Sequence, residues 1–165
     1  MKDALPGTFF RKGVTYAADK TTMLDCVFCR IIAGSEPSSV VTPLNGITNP
    51  DLYAFKTINP ATALHLLVTP RRHIRNVESL TSADVPLLHA MKQYGASCLT
   101  EDQRKDVLMV FHGGGWNSID HLHLHVIAGR STMSFFNGFF KYLPATAWCT
   151  DIDSVIKRLG GGNQM

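Results

Sequence analysis

His121-Leu122-His123-Leu124-His125-Val126-Ile127 is the stretch whose reading decides the fold. Side chains on an extended strand alternate faces, so the three imidazoles share one side while Leu122, Leu124 and Val126 turn to the other, toward a core. The pattern predicts a strand over residues 119–128 with a chemically active face. Thr, Lys or Glu serve equally well on an idle solvent face, so three histidines in register point to function. A hydrolytic metal centre built on such a row continues with an Asp-His pair, whereas Val126-Ile127 follows here. The other chemistry is nucleophilic: a neutral imidazole held at one ring nitrogen offers the other to phosphorus while neighbouring rings donate to the phosphate oxygens.

Working outward, the loop His112-Gly113-Gly114-Gly115-Trp116-Asn117-Ser118 precedes the histidines, and glycine there lets backbone N–H groups approach a phosphate. Before it, residues 107–111 read as a strand. Thr81 and Asp84 have the spacing of a capping box, and Val85, Leu88, Met91, Cys98 and Leu99 recur at helical spacing behind them. Residues 52–58 and 64–69 are rich in strand formers and are punctuated by Asn59-Pro60 and Thr69-Pro70, and Val40-Val41 suggests a further strand. A short helix is expected over 30–33, closed by Gly34, and another starts at Thr150 with Ile152, Val155, Ile156 and Leu159 on one face. Strands in one run with a long helix inserted, and no strict βαβ alternation, give an α+β domain with a mostly antiparallel sheet. Residues 1–23 show no sustained period and are read as an N-terminal extension, 24–160 as the domain and 161–165 as a C-terminal tail.

The bulk properties narrow the function classes. A chain of 165 residues, 45% hydrophobic, matches one ordinary globular domain. Its formal charge of +3 comes with one short basic cluster, Arg71, Arg72, His73 and Arg75, which suits a local phosphate contact and not a duplex-sized nucleic-acid footprint. No apolar run reaches the length of a membrane span, and residues 1–20 lack a secretory signal block, so an intracellular protein of cytoplasm or nucleus is expected, with an organelle as the alternative. In that setting Cys26-x-x-Cys29 reads as metal or redox chemistry, while Cys98 and Cys149 read as small core side chains.

With these motifs in order, the chain resembles the histidine-triad superfamily, whose signature is His-x-His-x-His followed by two apolar residues. Residues 26–34, Cys-Val-Phe-Cys-Arg-Ile-Ile-Ala-Gly, are similar to that family's metal knuckle. Residues 54–60 with 65–74 are similar to its central block. Within the superfamily the likeness is to the Hint-type nucleoside phosphoramidases, with similarity also to the aprataxin catalytic domain. The resemblance implies a five-stranded antiparallel sheet with packed helices, commonly paired into a homodimer. It also implies cleavage of the P–N bond of adenosine 5′-monophosphoramidate or AMP–amine conjugates through an adenylylated histidine; a dinucleoside polyphosphate hydrolase and a non-catalytic nucleotide-binding scaffold are the alternatives.

The same resemblance assigns residues. His123 is the nucleophile, His125 polarises the phosphate, and Ser118 protonates the leaving group. Cys26, Cys29, His73 and His121 form a structural zinc site. Phe28, Ile31, Phe55 and Ile58 enclose the base and sugar, and Asn117 joins them as a substrate-binding residue. Thr57 stands where the family usually carries a ribose-binding Asp, Val110 where it carries an Asn, and Gly113-Gly114-Gly115 follows Phe111-His112 where the nearer subgroup has Pro-Pro. Removal of AMP from DNA ends is disfavoured, because only Cys149 follows the triad and a second zinc finger needs more.

Overall fold

A computed structural model describes residues 7–113, 115–134, 138 and 140–161. Two antiparallel sheets organise the chain. The first is a meander of β1 (Thr8–Arg11), β2 (Val14–Ala17) and β3 (Met23–Cys26). The second holds β4 (Leu52–Lys56), β5 (Leu64–Pro70), β6 (Val107–His112), β7 (Leu124–Ala128) and β8 (Cys149–Asp151) in the spatial order β4-β5-β7-β6-β8. The expected α+β class and five-stranded antiparallel sheet are therefore present. Helices α1 (Val27–Ile32), α2 (Val85–Ser97), α3 (Glu101–Lys105) and α4 (Ile152–Gly160) complete the fold. No helix among the described residues is long and apolar enough to cross a membrane.

Alternation on the central strands divides the molecule. Leu66 and Val68 of β5, with Leu124 and Val126 of β7, point to one face and pack with Leu88, Met91 and Leu99 around α2 and with Ile152 and Val155 of α4. Helix α2 lies close on β7: a Cβ at Gly95 would stand 2.9 Å from Val126 Cγ2, so only a residue without a side chain allows that approach. The opposite face carries His125, paired in register with Leu67 on one side and Val110 on the other, and this is the face that bears the site.

Several boundaries differ from expectation, each for a local reason. Residues 8–17, read as part of an extension, form a hairpin whose Val14 and Tyr16 are buried with Phe28, Phe55 and Leu67, so the boundary at residue 24 falls inside the meander. Its strands are only four residues long, too short to show a period. Residues 1–6 and 162–165 of the two expected terminal segments lie outside the described residues.

The strand expected from residue 119 begins at Leu124, because the backbone before it bonds elsewhere. Asp120 N–H donates to the Lys12 carbonyl at 3.0 Å and Leu122 N–H to that of Ile74 at 2.6 Å. Val40 makes only an isolated bridge to Phe55, and the fifth strand is Cys149–Asp151 instead. Helix α1 starts inside the Cys-x-x-Cys segment, three residues earlier than read. The last helix is capped by Asp151, whose carboxylate accepts from Ser154 N–H at 2.8 Å, in place of Thr150.

Candidate active site and metal centre

Although only His125 lies within β7, the three histidines keep one side, since Leu122 and Leu124 still enter the core between them. The His123 and His125 ring centroids are 5.0 Å apart. Phe28 of α1 stands at the upstream end of the row, 5.8 Å from His121 and 5.3 Å from His123. His112, ending β6, stands at the downstream end, 4.6 Å from His125 and stacked on Tyr142 at 5.0 Å.

Hydrogen bonds fix the protons. The His123 Nδ1 lies 2.6 Å from the His121 carbonyl oxygen, which can only accept, so the proton sits on Nδ1 and the lone pair on Nε2. His65 on β5 accepts the Ala61 N–H at Nδ1 (3.1 Å), which places its own proton on Nε2. That Nε2–H is 2.9 Å from His125 Nδ1, which must therefore accept, leaving His125 with its proton on Nε2. The His125 Nε2 is buried and has no partner among the described residues. A buried donor without an acceptor is costly, and an arriving anionic oxygen would satisfy it. Burial pushes the pKa of His123 and of His65 down to about 4 and that of His125 well below its usual value, so all three rings are neutral near pH 7.

Cys26, Cys29, His73 and His121 come together with their ligand atoms within 4.8 Å of one another. Cys26 Sγ is 3.4 Å and Cys29 Sγ 3.6 Å from His121 Nδ1, and Cys29 Sγ is 3.7 Å from His73 Nδ1. A tetrahedral zinc with ordinary Zn–S and Zn–N bonds separates such atoms by about 3.5 Å, so the spacing fits. His121 Nε2–H donates to the Pro70 carbonyl at 3.0 Å, turning Nδ1 to the sulfurs as an outer-shell partner of a ligating imidazole does. Burial and the neighbouring Cys26 push the Cys29 thiol up to about 12, a cost that a bound dication removes by holding the thiolate.

The remaining predicted residues divide. Phe28, Ile31 and Phe55 form one apolar cluster, with Phe28 and Phe55 edge to face at 5.1 Å. Thr57 is half-buried beside that strand, its hydroxyl accepting from Asn59 N–H at 3.3 Å. Ile58 is 93% exposed and outside the cluster, because β4 ends two residues before it. Ser118 is exposed, next to the buried Asn117, and Gly114 lies outside the described residues.

The Asn117 side chain is committed internally. Its amide donates to the Ile119 carbonyl (3.0 Å) and to Asp120 Oδ1 (3.1 Å), and its oxygen accepts from Lys12 Nζ at 2.9 Å. Sequence reasoning gave no role to His65, His112 or Asp120. The strand alternation that singled out the triad also puts His65 on the site face, and that was the available signal. On the His112 side an apolar cleft of about 310 Å³ is lined by Trp116, Phe140, Lys141 and Trp148 as well as His112.

The family described as scavenger mRNA decapping enzyme C-term binding matches residues 25–138. Adenosine 5′-monophosphoramidase HINT3 of Mus musculus is 36% identical over 138 residues, covering 82% of this chain and 81% of its own. The protein of the same name in Xenopus tropicalis is 31% identical over 89% of this chain and 95% of its own. Among solved structures, a HIT family hydrolase from Clostridium thermocellum superimposes with a TM-score of 0.58 at 25% identity, covering 70% of this chain and 99% of that one.

Proposed function

Because the chain belongs to the histidine-triad superfamily, we propose that it is a hydrolase cleaving the P–N bond of adenosine 5′-monophosphoramidate or of related AMP–amine conjugates through an adenylylated His123. One observation carries this reading: a neutral imidazole whose proton is held by a carbonyl and whose other nitrogen keeps its lone pair, beside a buried, unpartnered His125 Nε2–H. The relatives named adenosine 5′-monophosphoramidase support the substrate class.

In the first step the His123 Nε2 lone pair attacks the α-phosphorus and the P–N bond breaks, its electron pair going to nitrogen. Ser118 Oγ–H supplies the proton that makes this a neutral amine. His125 Nε2–H donates to a non-bridging oxygen and holds the charge that develops there. Water then attacks phosphorus, the Nε2–P bond breaks, AMP leaves, and the proton lost by water restores Ser118. Phe28 and Phe55 supply the apolar wall for the nucleoside, and the cleft beside His112 faces the leaving group.

The test is direct. His123→Ala should lower turnover of adenosine 5′-monophosphoramidate by at least ~10⁴-fold while the far-UV CD spectrum is unchanged. Quenched wild-type reactions should carry adenylate on the peptide containing His123. Near-normal activity in the variant would end the proposal. A dinucleoside polyphosphate hydrolase is the second reading, favoured by Trp116 and Trp148, whose rings stand 5.7 Å apart and offer a second base a stacking surface. Rates on the two substrate types, measured side by side, decide between them.

The four-residue Cys/His cluster is proposed to hold structural zinc, tying the N-terminal knuckle to the histidine row, and the protein is proposed to act as a homodimer. Metal analysis of purified protein should return one zinc per chain, and light scattering should return twice the chain mass.

A further inference from the structure

We propose that the N-terminal hairpin belongs to the catalytic apparatus, with Lys12 at its turn acting as a positioning residue that holds the loop carrying Ser118. The inference rests on the reading of Ser118 as the proton donor to the leaving nitrogen.

The hairpin turn is Lys12-Gly13, between the paired residues Arg11 and Val14. Both turn residues have positive φ, 48° and 70°, as a two-residue turn of this twist requires. Asn or Asp is the usual first residue of such a turn, and a lysine there accepts a backbone conformation it disfavours. The side chain has a use that offsets this. Its ammonium donates to Asn117 Oδ1 at 2.9 Å and also to the Gly115 carbonyl, so one group grips the loop on both sides of Trp116.

The rest of the hairpin closes on the same loop. A Cβ at Gly13 would stand 2.7 Å from Ile119 Cδ1, so the turn backbone is pressed against the residue following Ser118. The Lys12 carbonyl accepts the Asp120 N–H at 3.0 Å. Asp120, fully buried, accepts from Tyr16 Oη–H at 3.0 Å and from Arg75 Nε–H at 3.0 Å, with Arg11 3.7 Å away. Residues 115, 117, 119 and 120 are thus tied to the hairpin directly or through Asn117. Ser118 is exposed and lies between two of them, Asn117 and Ile119, so the backbone is held on both sides of it. Proton delivery to a leaving nitrogen needs a donor held within hydrogen-bond reach of it, and a displacement of about 1 Å costs on the order of 10²-fold.

The consequence is a dependence on the leaving group. An amine cannot depart without a proton, whereas p-nitrophenolate can. Loosening the Ser118 loop should slow the first kind of substrate and spare the second, although both share AMP and His123. Lys12→Met is therefore to be compared with wild type on an AMP alkyl phosphoramidate and on AMP p-nitrophenyl ester. The expected result is a fall in kcat of about 30-fold on the phosphoramidate, less than about threefold on the ester, and little change in KM for either. Lys12→Arg, which keeps two donors, should recover most of the loss.

A normal rate on the ester also shows that the variant is folded. Should Lys12→Met lose its CD spectrum, Lys12→Gln is read in its place. Equal losses on both substrates, or no loss on the phosphoramidate, would overturn the proposal. A wild-type protein inert toward both would overturn the hydrolase reading and this inference with it, a different result from an active wild type that Lys12→Met leaves unchanged.

Discussion

Between Ala61 and the centre of the site runs a line of fixed protons, and each member decides the next. The Ala61 N–H occupies His65 Nδ1, the His65 Nε2–H occupies His125 Nδ1, and the free His125 donor is what remains for substrate. His65 touches no substrate in this scheme; it acts by choosing the His125 tautomer. Replacing it with Leu removes the donor, so His125 can place its proton on Nδ1 and present a lone pair toward the phosphate, which repels the oxygen it should bind. His65→Leu is expected to lower kcat by roughly 10²-fold with KM changed far less, the loss of one transition-state donor. His65→Gln, whose side-chain N–H₂ can still donate to His125 Nδ1, should retain several-fold more activity than the Leu variant. Equal rates for the two variants would show that His65 only fills space.

At the scale of elements, the knuckle, the meander and the histidine row are one assembly joined at Cys26, which ends β3, immediately precedes α1 and faces His121. Cys29→Ser should lose the metal and lower the melting temperature, and a strong chelator should reproduce that on wild type but leave the variant unmoved. A metal-free wild type as stable as the loaded protein would argue against a structural ion. The hairpin makes a second prediction. Gly13→Ala places a Cβ against Ile119 and requires a left-handed backbone of a residue that resists it, a destabilisation of about 1–3 kcal/mol in urea unfolding. Much of this level was legible in advance: the triad alternation, the knuckle and the main helix all follow from spacing. The hairpin of residues 8–17 was not, because four-residue strands leave no period. Neither was β8, whose three residues are a strand only because β6 is beside them.

For the whole molecule, the hidden quantity is how many imidazoles are buried uncharged. A row of three histidines was visible in the sequence, but the additional burial of His65 and His112 on the same face depends on sheet order, which brings β5 and β6 to either side of β7. Both are lowered chiefly by desolvation, His65 to about 4. The sign follows from linkage. An unfolded histidine takes up a proton near its ordinary pKa of about 6.5, the folded one does so only at lower pH, and the unfolded state therefore binds more protons in between. Stability contributed by the neutral rings is full above pH 6.5 and is lost as the pH falls toward 4. For His65 alone the loss by pH 4 is on the order of 3 kcal/mol, a slope of about 1.4 kcal/mol per pH unit while one proton separates the states. Urea unfolding of the chelated protein at pH 7, 6 and 5 should give falling free energies, and in His65→Leu the fall should be shallower by about that one-proton slope. Parallel slopes for the two chains would mean that His65 takes its proton in the folded state as readily as in the unfolded one, and that the tautomer line from Ala61 to His125 breaks at its first ring.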